Sequence, residues 1–251
     1  MGSEPSGNDS RLLERTVVRP LVVDIDGTIT DGDRAVDPRA FSVLREWPAP
    51  VVIATGKAFP YPVGLCEFCG LPVRVIAENG GVVCIDGQVT IDGDREGTGA
   101  VLESYVAQGY DPGWDDADLA NRWRETEVIV RRESPLEPLE ALAREHGLVV
   151  VDTGFAYHVK APEVDKGRGL TLVGAQLGID PAEFVAIGDS VNDAETFAIA
   201  GDSYAVANAD DVAREAATVV TDAAYAEGFL EAIAAIEAAE AGKTDERADH
   251  D

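Results

Sequence analysis

Residues 21–28 of this 251-residue chain read Leu21-Val22-Val23-Asp24-Ile25-Asp26-Gly27-Thr28, an apolar run that ends in two acids. A short continuous apolar run is typical of a strand that is covered on both faces, as in a parallel α/β sheet. Ligands of such sheets bind beyond the ends of the strands, so Asp24 and Asp26 are expected at a binding crevice. An acid that caps an Asp-Gly turn would give the same pattern, so this segment alone leaves both interpretations open.

Similar apolar runs alternate with helical patterns along the rest of the chain. Strands are predicted at 17–23, 51–53, 73–76, 184–187 and 204–206, and helices at 38–46, 60–68, 169–177, 194–199, 211–217 and 225–240. Between them, residues 82–159 contain strands in hairpins and helices grouped together, which is typical of a separate α+β unit. The predicted fold class is therefore α/β, a Rossmann-like parallel-sheet core with an inserted α+β cap domain.

The domain boundaries follow from these patterns and from the polar composition of both ends. We predict a flexible N-terminal tail (1–15), a discontinuous core domain (16–82 and 159–238), a cap domain (83–158) and a flexible C-terminal tail (239–251). The hairpin signal Asp86-Gly87-Gln88 falls in the cap under this division. Neither tail is expected to carry function.

The chain is strongly acidic, with 47 acidic and 20 basic residues and a formal charge of -27. This charge disfavours nucleic acid and anionic membranes as partners. The acids are spread along the whole chain, which favours adaptation to molar salt, where screening lets an acidic surface stay compact. Circular dichroism tests this hypothesis, since full structure and equal melting temperatures in dilute buffer and in molar KCl would contradict it.

The sequence predicts a soluble, cytoplasmic protein. No run approaches the roughly 18 consecutive apolar residues of a spanning helix, and residues 1–10 lack the pattern of a secretory signal. The three cysteines, Cys66, Cys69 and Cys84, cannot all pair with one another, which agrees with a reducing compartment. Because no second pair of metal-binding residues follows Cys66 and Cys69 at a suitable distance, we expect buried structural thiols.

A second acidic cluster follows the predicted strand at 184–187. Asp189 leaves the strand, and Asp193 lies four residues on, near the start of a helix, so both can point at one spot. Asp193 would also serve as a helix cap, which is the simpler interpretation. Two strand-end pairs of carboxylates in one sheet need neutralising, and Mg²⁺, which prefers oxygen ligands, would do this.

Two further segments offer groups that bind phosphate. Thr55 and Gly56 follow the run at 51–53 and supply a hydroxyl and a backbone N–H where a helix is about to begin. Lys166 heads the helix that leads to the second acidic cluster, in a chain where lysine is rare. A solvated Lys166 paired with Asp165 or Glu163 is the simpler interpretation and would contribute little.

In their order along the chain, these motifs resemble the four motifs of the haloacid dehalogenase-like superfamily of phosphohydrolases. The motifs are Asp24-Ile25-Asp26-Gly27-Thr28, Thr55-Gly56, Lys166 and Gly188-Asp189-Ser190-Val191-Asn192-Asp193. The unit inserted between the second and third motifs resembles the α/β cap of the Cof-type branch. Within that branch, Ala77-Glu78-Asn79-Gly80-Gly81 and the short cap are similar to archaeal phosphatases that act on 2-phosphoglycolate.

The resemblance implies a Mg²⁺-dependent phosphatase that hydrolyses a small phosphate monoester, with 2-phosphoglycolate expected, through an aspartyl-phosphate intermediate. Asp24 would be the nucleophile, and Asp26 would be the general acid and base. The implied phosphate-binding residues are Thr55, Gly56, Lys166 and Asn192, and the implied Mg²⁺ ligands are Asp24, Asp26 through its backbone carbonyl, Asp189 and Asp193. The segment 29–36 would be a mobile flap beside the nucleophile.

The cap selects the substrate, and a closing cap favours a small phosphorylated metabolite over a protein or nucleic-acid chain. Candidates for binding a substrate carboxylate are Arg122, Arg124, Arg131 and Arg132, although exposure on the cap surface would account for most of them. The oligomeric state is unreadable from the sequence.

Three rival functions stay open at this point. A sugar-phosphate phosphatase or phosphomutase of the same superfamily is the nearest rival, and assays of free phosphate against isomerised sugar phosphate separate them. A phospho-acceptor signalling module is disfavoured because it has no inserted cap and no use for a second acid two residues after the acceptor. A plain metal-binding domain would predict no phosphatase activity.

Overall fold

Eleven strands in two sheets form the framework of the computed structural model, which describes residues 18–248. The strands are β1 (Leu21–Asp24), β2 (Val51–Ala54), β3 (Arg74–Ala77), β4 (Val82–Ile85), β5 (Gln88–Ile91), β6 (Val128–Arg131), β7 (Val149–Asp152), β8 (Ala156–Lys160), β9 (Val185–Gly188), β10 (Asp202–Ala205) and β11 (Val219–Val220). The larger sheet has the order β11-β10-β9-β1-β2-β3-β4-β5, and the smaller sheet has the order β6-β8-β7. The pairs from β11 to β3 are parallel, so their carboxyl ends share one edge.

The helices that cover these sheets are α1 (Pro38–Glu46), α2 (Pro60–Cys69), α3 (Arg95–Ala107), α4 (Leu136–Glu145), α5 (Lys166–Leu177), α6 (Ala194–Ile199), α7 (Asp211–Ala216) and α8 (Tyr225–Ala248). Side chains of α1, α2 and α8 pack on one face of the larger sheet, and side chains of α5, α6 and α7 pack on the other. On β1, Leu21 and Val23 point to the first face and Val22 to the second. Burial on both faces explains the continuous apolar run of this strand.

The smaller sheet is antiparallel and carries α3 and α4 on one face. Val128, Val130 and Val159 pack there against Val101 and Leu139 in a separate hydrophobic core. The opposite face carries the residues that alternate with these, among which Ile129 pairs with His158 across β6 and β8. That second face turns toward the carboxyl edge of the larger sheet. The predicted α/β class with a parallel-dominated sheet is confirmed.

The hairpin β4–β5 differs from its predicted place. The sequence predicts this hairpin in the inserted unit. In the structure, β4 pairs with β3 in antiparallel register, with Ala77 opposite Val82, and therefore extends the larger sheet. All four residues of β4 are buried, because this strand is covered on both faces. A hairpin signal records a local turn and carries no information on which sheet the strands join. The remaining cap and core boundaries stay predictions.

The ends of the chain also differ from the expected tails. Helix α8 continues to Ala248, past the predicted start of a tail at residue 239. This segment is rich in alanine and glutamate, which are strong helix formers. The predicted tail at 1–15 lies outside the described residues. Within the described part, no helix combines the length and apolar character needed to cross a bilayer.

The three cysteines are free thiols, as expected. Cys66 and Cys84 are buried, and Cys69 is half-buried. Burial raises the pKa of the Cys66 thiol to about 11, so it stays protonated and unreactive at neutral pH.

Candidate active site

The end of β1 holds a buried cluster of opposite charges. Lys166 Nζ lies 2.7 Å from Asp24 Oδ1 and 2.7 Å from Asp193 Oδ1. Lys166 is 0% exposed, so its interpretation as a solvated surface lysine is wrong. Burial disfavours its ammonium, but Asp193 and Asp24 outweigh this and raise its pKa, so Lys166 is charged.

Asp189 completes the acidic group. Carboxylate oxygens of Asp24, Asp189 and Asp193 lie within 4.8 Å of one another. Asp193 Oδ2 accepts the backbone N–H groups of Asp189 and Ser190 at 3.0 and 3.1 Å, which orients it. Among the described residues, the Asp189 carboxylate accepts a single hydrogen bond, from the Thr28 hydroxyl at 3.4 Å. We call Asp24, Lys166, Asp189 and Asp193 the acidic floor.

The acidic floor carries more negative charge than Lys166 balances. Burial raises the pKa of Asp24, and the neighbouring Asp193 and Asp26 add to this effect while Lys166 opposes it. Burial also raises the pKa of Asp189, with further contributions from Asp24 and Asp193. A cation bound among these carboxylates would remove the repulsion, and the three oxygen donors suit a hard divalent ion.

Gly27 allows the first loop to pass beside Asp189. Its φ is +86°, and a Cβ atom there would lie 2.0 Å from Asp189 Oδ2. Asn208 Nδ2 donates to the Gly27 carbonyl at 3.0 Å and fixes the loop from the other side. Only glycine fits this turn without displacing the carboxylate.

Asp26 projects into the same cavity with two cationic partners. Arg34 Nη2 and Lys57 Nζ each lie 2.9 Å from its carboxylate oxygens. Arg34 comes from the segment 29–36, and its guanidinium also lies over the Phe155 ring of the inserted unit at 4.5 Å. Neither cation was predicted as a site residue, and no local motif marks them.

The predicted phosphate-binding residues surround the acidic floor. Thr55 is buried at the end of β2, and its hydroxyl accepts the Lys57 N–H at 3.1 Å. Gly56 lies beside Asn79, because a Cβ atom at Gly56 would be 3.0 Å from Asn79 Oδ1. Asn192 Oδ1 lies 3.2 Å from Lys166 Nζ. All eight predicted site residues therefore converge at one place.

These residues line or underlie a cavity of about 310 Å³ between the two sheets. Its walls include Asp24, Asp26, Arg34, Thr55, Gly56, Lys57, Asp189, Asn192 and, from the inserted unit, Arg124, Thr153, Gly154, Phe155 and His158. The volume is at the lower end for ligand pockets, which suits a small metabolite.

Of the four arginines proposed for a substrate carboxylate, only Arg124 lines this cavity. The guanidinium of Arg131 lies over the Trp114 ring at 4.9 Å, and that of Arg122 lies 5.9 Å from the Trp123 ring. Arg132 pairs with Asp152 on the exposed surface. Exposure on the cap is therefore the correct interpretation for three of the four.

A buried network in the inserted unit centres on Glu127. Its Oε1 accepts from Arg124 Nη1 and lies 3.1 Å from His158 Nδ1. Burial alone would raise the pKa of Glu127, but His158 and Arg124 outweigh it and lower the pKa to about 2. We call Arg124, Glu127 and His158 the cap cluster. His158 was missed, because nothing local in its sequence marks it.

Asn79 links the cap cluster to the acidic floor. Its Nδ2 donates to Glu127 Oε2 at 2.9 Å, and its Oδ1 accepts from Asn192 Nδ2 at 2.8 Å. Glu78 and Asn79 both have positive φ, 51° and 52°, an uncommon backbone conformation outside glycine. The chain reverses direction here, so that the Asn79 side chain lies between the two units. Asn79 belongs to the segment 77–81, whose sequence is similar to that of archaeal phosphatases.

Comparisons with known proteins show the family of this chain. A sequence profile described as haloacid dehalogenase-like hydrolase matches residues 127–233. The phosphoglycolate phosphatase of Natronomonas pharaonis is 60% identical over 219 residues, which is 86% of this chain and 97% of that protein. The phosphoglycolate phosphatase of Haloarcula marismortui is 61% identical over 217 residues, 86% of this chain and 96% of that protein. Both relatives come from halophilic archaea, in line with the acidic composition.

A solved structure shares the whole architecture. The crystal structure of a Thermoplasma acidophilum protein has a TM-score of 0.76 and 25% sequence identity, and the match covers 88% of this chain and 98% of that one. The chain belongs to the haloacid dehalogenase-like hydrolase family. It is an enzyme, a phosphoric monoester hydrolase, so the interpretations as a signalling module or a plain metal-binding domain are wrong.

Proposed function

We propose that this enzyme hydrolyses 2-phosphoglycolate to glycolate and phosphate, with Mg²⁺ on the acidic floor and a transient aspartyl-phosphate on Asp24. The observation that carries the proposal is the placement of Asp24 at the cavity, with one carboxylate oxygen held by Lys166. The two relatives named for this activity, each matching 86% of the chain, support the choice of substrate.

The donor set of the acidic floor fits Mg²⁺. Its side-chain ligands would be Asp24, Asp189 and Asp193, all carboxylates, and the backbone carbonyl of Asp26 is the fourth proposed ligand. When bound, the ion would offset the repulsion between the Asp24 carboxylate and the phosphate dianion. The 4.8 Å spacing of the three carboxylates supports a shared cation.

Asp24 is the proposed nucleophile. Lys166 binds Oδ1, which leaves Oδ2 for attack on phosphorus. A new Asp24–phosphorus bond forms as the bond from phosphorus to the ester oxygen breaks, and Asp26 donates a proton to the leaving glycolate oxygen. Asp26 then takes a proton from water as the water oxygen attacks phosphorus, which releases phosphate and restores Asp24.

The remaining residues hold the phosphoryl group and the acid. The Thr55 hydroxyl accepts from the Lys57 N–H, so its own hydrogen is free to donate to a phosphoryl oxygen. The Gly56 N–H, Lys166 and Asn192 would supply further donors where charge develops during transfer. Arg34 and Lys57 hold the Asp26 carboxylate at the cavity wall, in position for proton transfer.

The inserted unit would act as the cap domain that closes the site against water. Its loop 153–155, together with Arg124 and His158 of the cap cluster, lines the cavity opposite the acidic floor. We also infer a cytoplasmic location, which the three free thiols support.

A phosphate-release screen over small phosphorylated metabolites tests the function, using the full chain with Mg²⁺ and molar KCl. We expect the highest kcat/KM with 2-phosphoglycolate and no release after chelation of the metal. A higher kcat/KM with a sugar phosphate, or an isomerised sugar phosphate as the product, would favour the two rivals within the superfamily. Activity that survives complete removal of divalent metal would contradict the role of Mg²⁺.

A further inference from the structure

Two basic side chains of the cap cluster line the described cavity, and neither pairs with an acid that lines it. The basic side chains that line this cavity are four, namely Arg34, Lys57, Arg124 and His158. Arg34 and Lys57 are paired with Asp26. Arg124 and His158 are instead paired behind the cavity wall, with the buried Glu127. Arg124 and His158 are therefore the two basic side chains of these four that are available to a ligand.

Arg124 is held rigidly and keeps one donor group free. Its side chain is 5% exposed, its Nε donates to the Ala120 carbonyl at 2.8 Å, and its Nη1 donates to Glu127. Among the described residues, Nη2 has no hydrogen-bond partner, and the side chain lines the cavity. A planar guanidinium that is fixed on two edges presents its remaining edge in one orientation, which suits a carboxylate.

His158 also presents a hydrogen-bonding atom to the cavity. Its Nδ1 lies 3.0 Å from Asn79 Nδ2 and 3.1 Å from Glu127 Oε1. The Asn79 amide nitrogen can only donate, so Nδ1 accepts from it in the tautomer that carries the ring hydrogen on Nε2. Nε2 has no partner within the described part of the chain, so in this tautomer its hydrogen is available to a ligand in the cavity that His158 lines.

The two donors lie at a short distance from the phosphate-binding groups. Asn79 contacts both Glu127 and Asn192, and Asn192 contacts Lys166. The cap cluster is thus two side chains away from Lys166, a separation that a small molecule with two anionic ends would span. A neutral hydroxyl end would offer the remaining Arg124 donor a weaker acceptor than a carboxylate does.

We propose that Arg124 and His158 form a carboxylate-binding subsite, which selects phosphate monoesters whose organic group carries a carboxylate close to the ester oxygen. The inference rests on the proposed phosphatase function and adds the residues that read the organic end of the substrate. Glu127 and Asn79 are positioning residues, because they hold Arg124 and His158 and do not touch the ligand.

A pair of esters tests the subsite directly. The substrates are 2-phosphoglycolate and 2-hydroxyethyl phosphate, in which a hydroxymethyl group replaces the carboxylate. We expect Arg124→Met to lower the ratio of the two kcat/KM values by about 10- to 100-fold, the range of one hydrogen bond between charged groups. His158→Gln should lower the same ratio by about 10-fold. The matched control is Arg132→Met, an exposed cap arginine outside the cavity, which should leave the ratio as it is.

A folding defect is separated from a loss of selectivity by a second variant. Arg124→Met leaves Glu127 buried without one of its cationic partners, so Arg124→Met/Glu127→Gln removes both charges and is assayed in parallel. Equal losses on both esters in the folded variants, or an unchanged ratio, would overturn the subsite. A wild-type enzyme that hydrolyses both esters equally well would also overturn it while leaving the phosphatase function intact. Failure of the wild type to release phosphate from any ester would overturn the proposed function and the subsite together.

Discussion

The acidic floor and the cap cluster place charge in opposite ways on the two sides of one cavity. On the floor, the Lys166 ammonium is surrounded by carboxylates, two of them at 2.7 Å. In the cap cluster, the Glu127 carboxylate accepts from Arg124 and Asn79 and lies 3.1 Å from His158 Nδ1. The floor is left with surplus negative charge and the cap cluster with surplus donors.

This difference indicates a division of labour. A surplus of carboxylates attracts a metal ion, and with it a phosphoryl group, so the proposed function assigns the chemistry to the floor. A surplus of donors attracts an anion directly, so the proposed subsite assigns selectivity to the cap cluster. Among the described residues, the hydrogen bonds of the neutral Asn79 and Asn192 link the two clusters, so neither cluster cancels the charge of the other.

The largest effect is expected from Asp24→Asn on the floor. The amide has nearly the same shape as the carboxylate but is a poor nucleophile, so phosphate release should fall by several orders of magnitude. The fold should persist, because Lys166 keeps Asp193 as its partner. Steady-state kinetics and circular dichroism measure both quantities, with the exposed Asp86→Asn as the control. Turnover near the wild-type rate would exclude the covalent step.

Replacing Lys166, the cation of the acidic floor, is expected to lower both the stability and the turnover of the enzyme. Lys166→Met leaves two buried carboxylates without their counterion, which is expected to lower the free energy of unfolding by about 3–5 kcal/mol. Urea unfolding in molar KCl without divalent metal measures this loss. Lys57→Met is the control, because Lys57 is partly exposed and its pair contributes about 1 kcal/mol or less. A loss no greater than that of the control would mean that Lys166 does not hold the floor together.

Two glycines separate backbone strain from displacement of the floor. Gly27 and Gly87 have nearly the same φ, +86° and +89°, but a Cβ atom at Gly87 meets no atom within 4 Å. Gly87→Ala should therefore cost about 1–2 kcal/mol from the left-handed backbone alone. Gly27→Ala should cost more and should also raise the Mg²⁺ concentration needed for activity, because its Cβ displaces Asp189. Thermal unfolding and Mg²⁺ titrations compare the pair, and equal behaviour would contradict the contact.

The smallest effect is expected in the pH dependence of stability, through Glu127 of the cap cluster. The pKa of Glu127 is lowered from 4.5 to about 2 in the folded protein. Its contribution to stability is therefore complete above pH 4.5 and is lost as the pH falls towards 2. Glu127→Gln should be less stable than the wild type at neutral pH and should lose less stability between pH 5 and pH 3. Urea unfolding across this range measures the free energy of unfolding of each protein, with the exposed Glu67→Gln as the control. Parallel pH profiles for Glu127→Gln and the wild type would contradict the prediction.

Much of the core was predictable because its signals are local. The apolar runs before Asp24 and Thr55 reflect burial on both faces, and the structure has strands at both places. The helices at Pro38–Glu46 and Ala194–Ile199 begin and end at the predicted residues. The eight predicted site residues follow strand ends or lie near helix starts, where the direction of the chain brings them to one edge, and their roles stay predictions.

The cap was less predictable because its function depends on side chains from separate strands. The hairpin β4–β5 was assigned to the wrong sheet, since strand partners are chosen by packing and not by the turn. His158 was missed, because the register of β6, β7 and β8 decides which of their residues face the cavity. Arg124 was grouped with three arginines that stay on the surface, because only tertiary contacts of the loop before β6 bring it to the cavity.

The class of enzyme could be inferred from the amino-acid sequence because its signals are local. These signals are the order of the motifs, the alternation of strands and helices, and the acids at strand ends. Long-range packing alone established that Lys166 is buried between two carboxylates and that Glu127 aims Arg124 and His158 at the same cavity. The physical reason is that periodicity reports burial within one element, whereas electrostatics depends on distances between residues far apart in sequence.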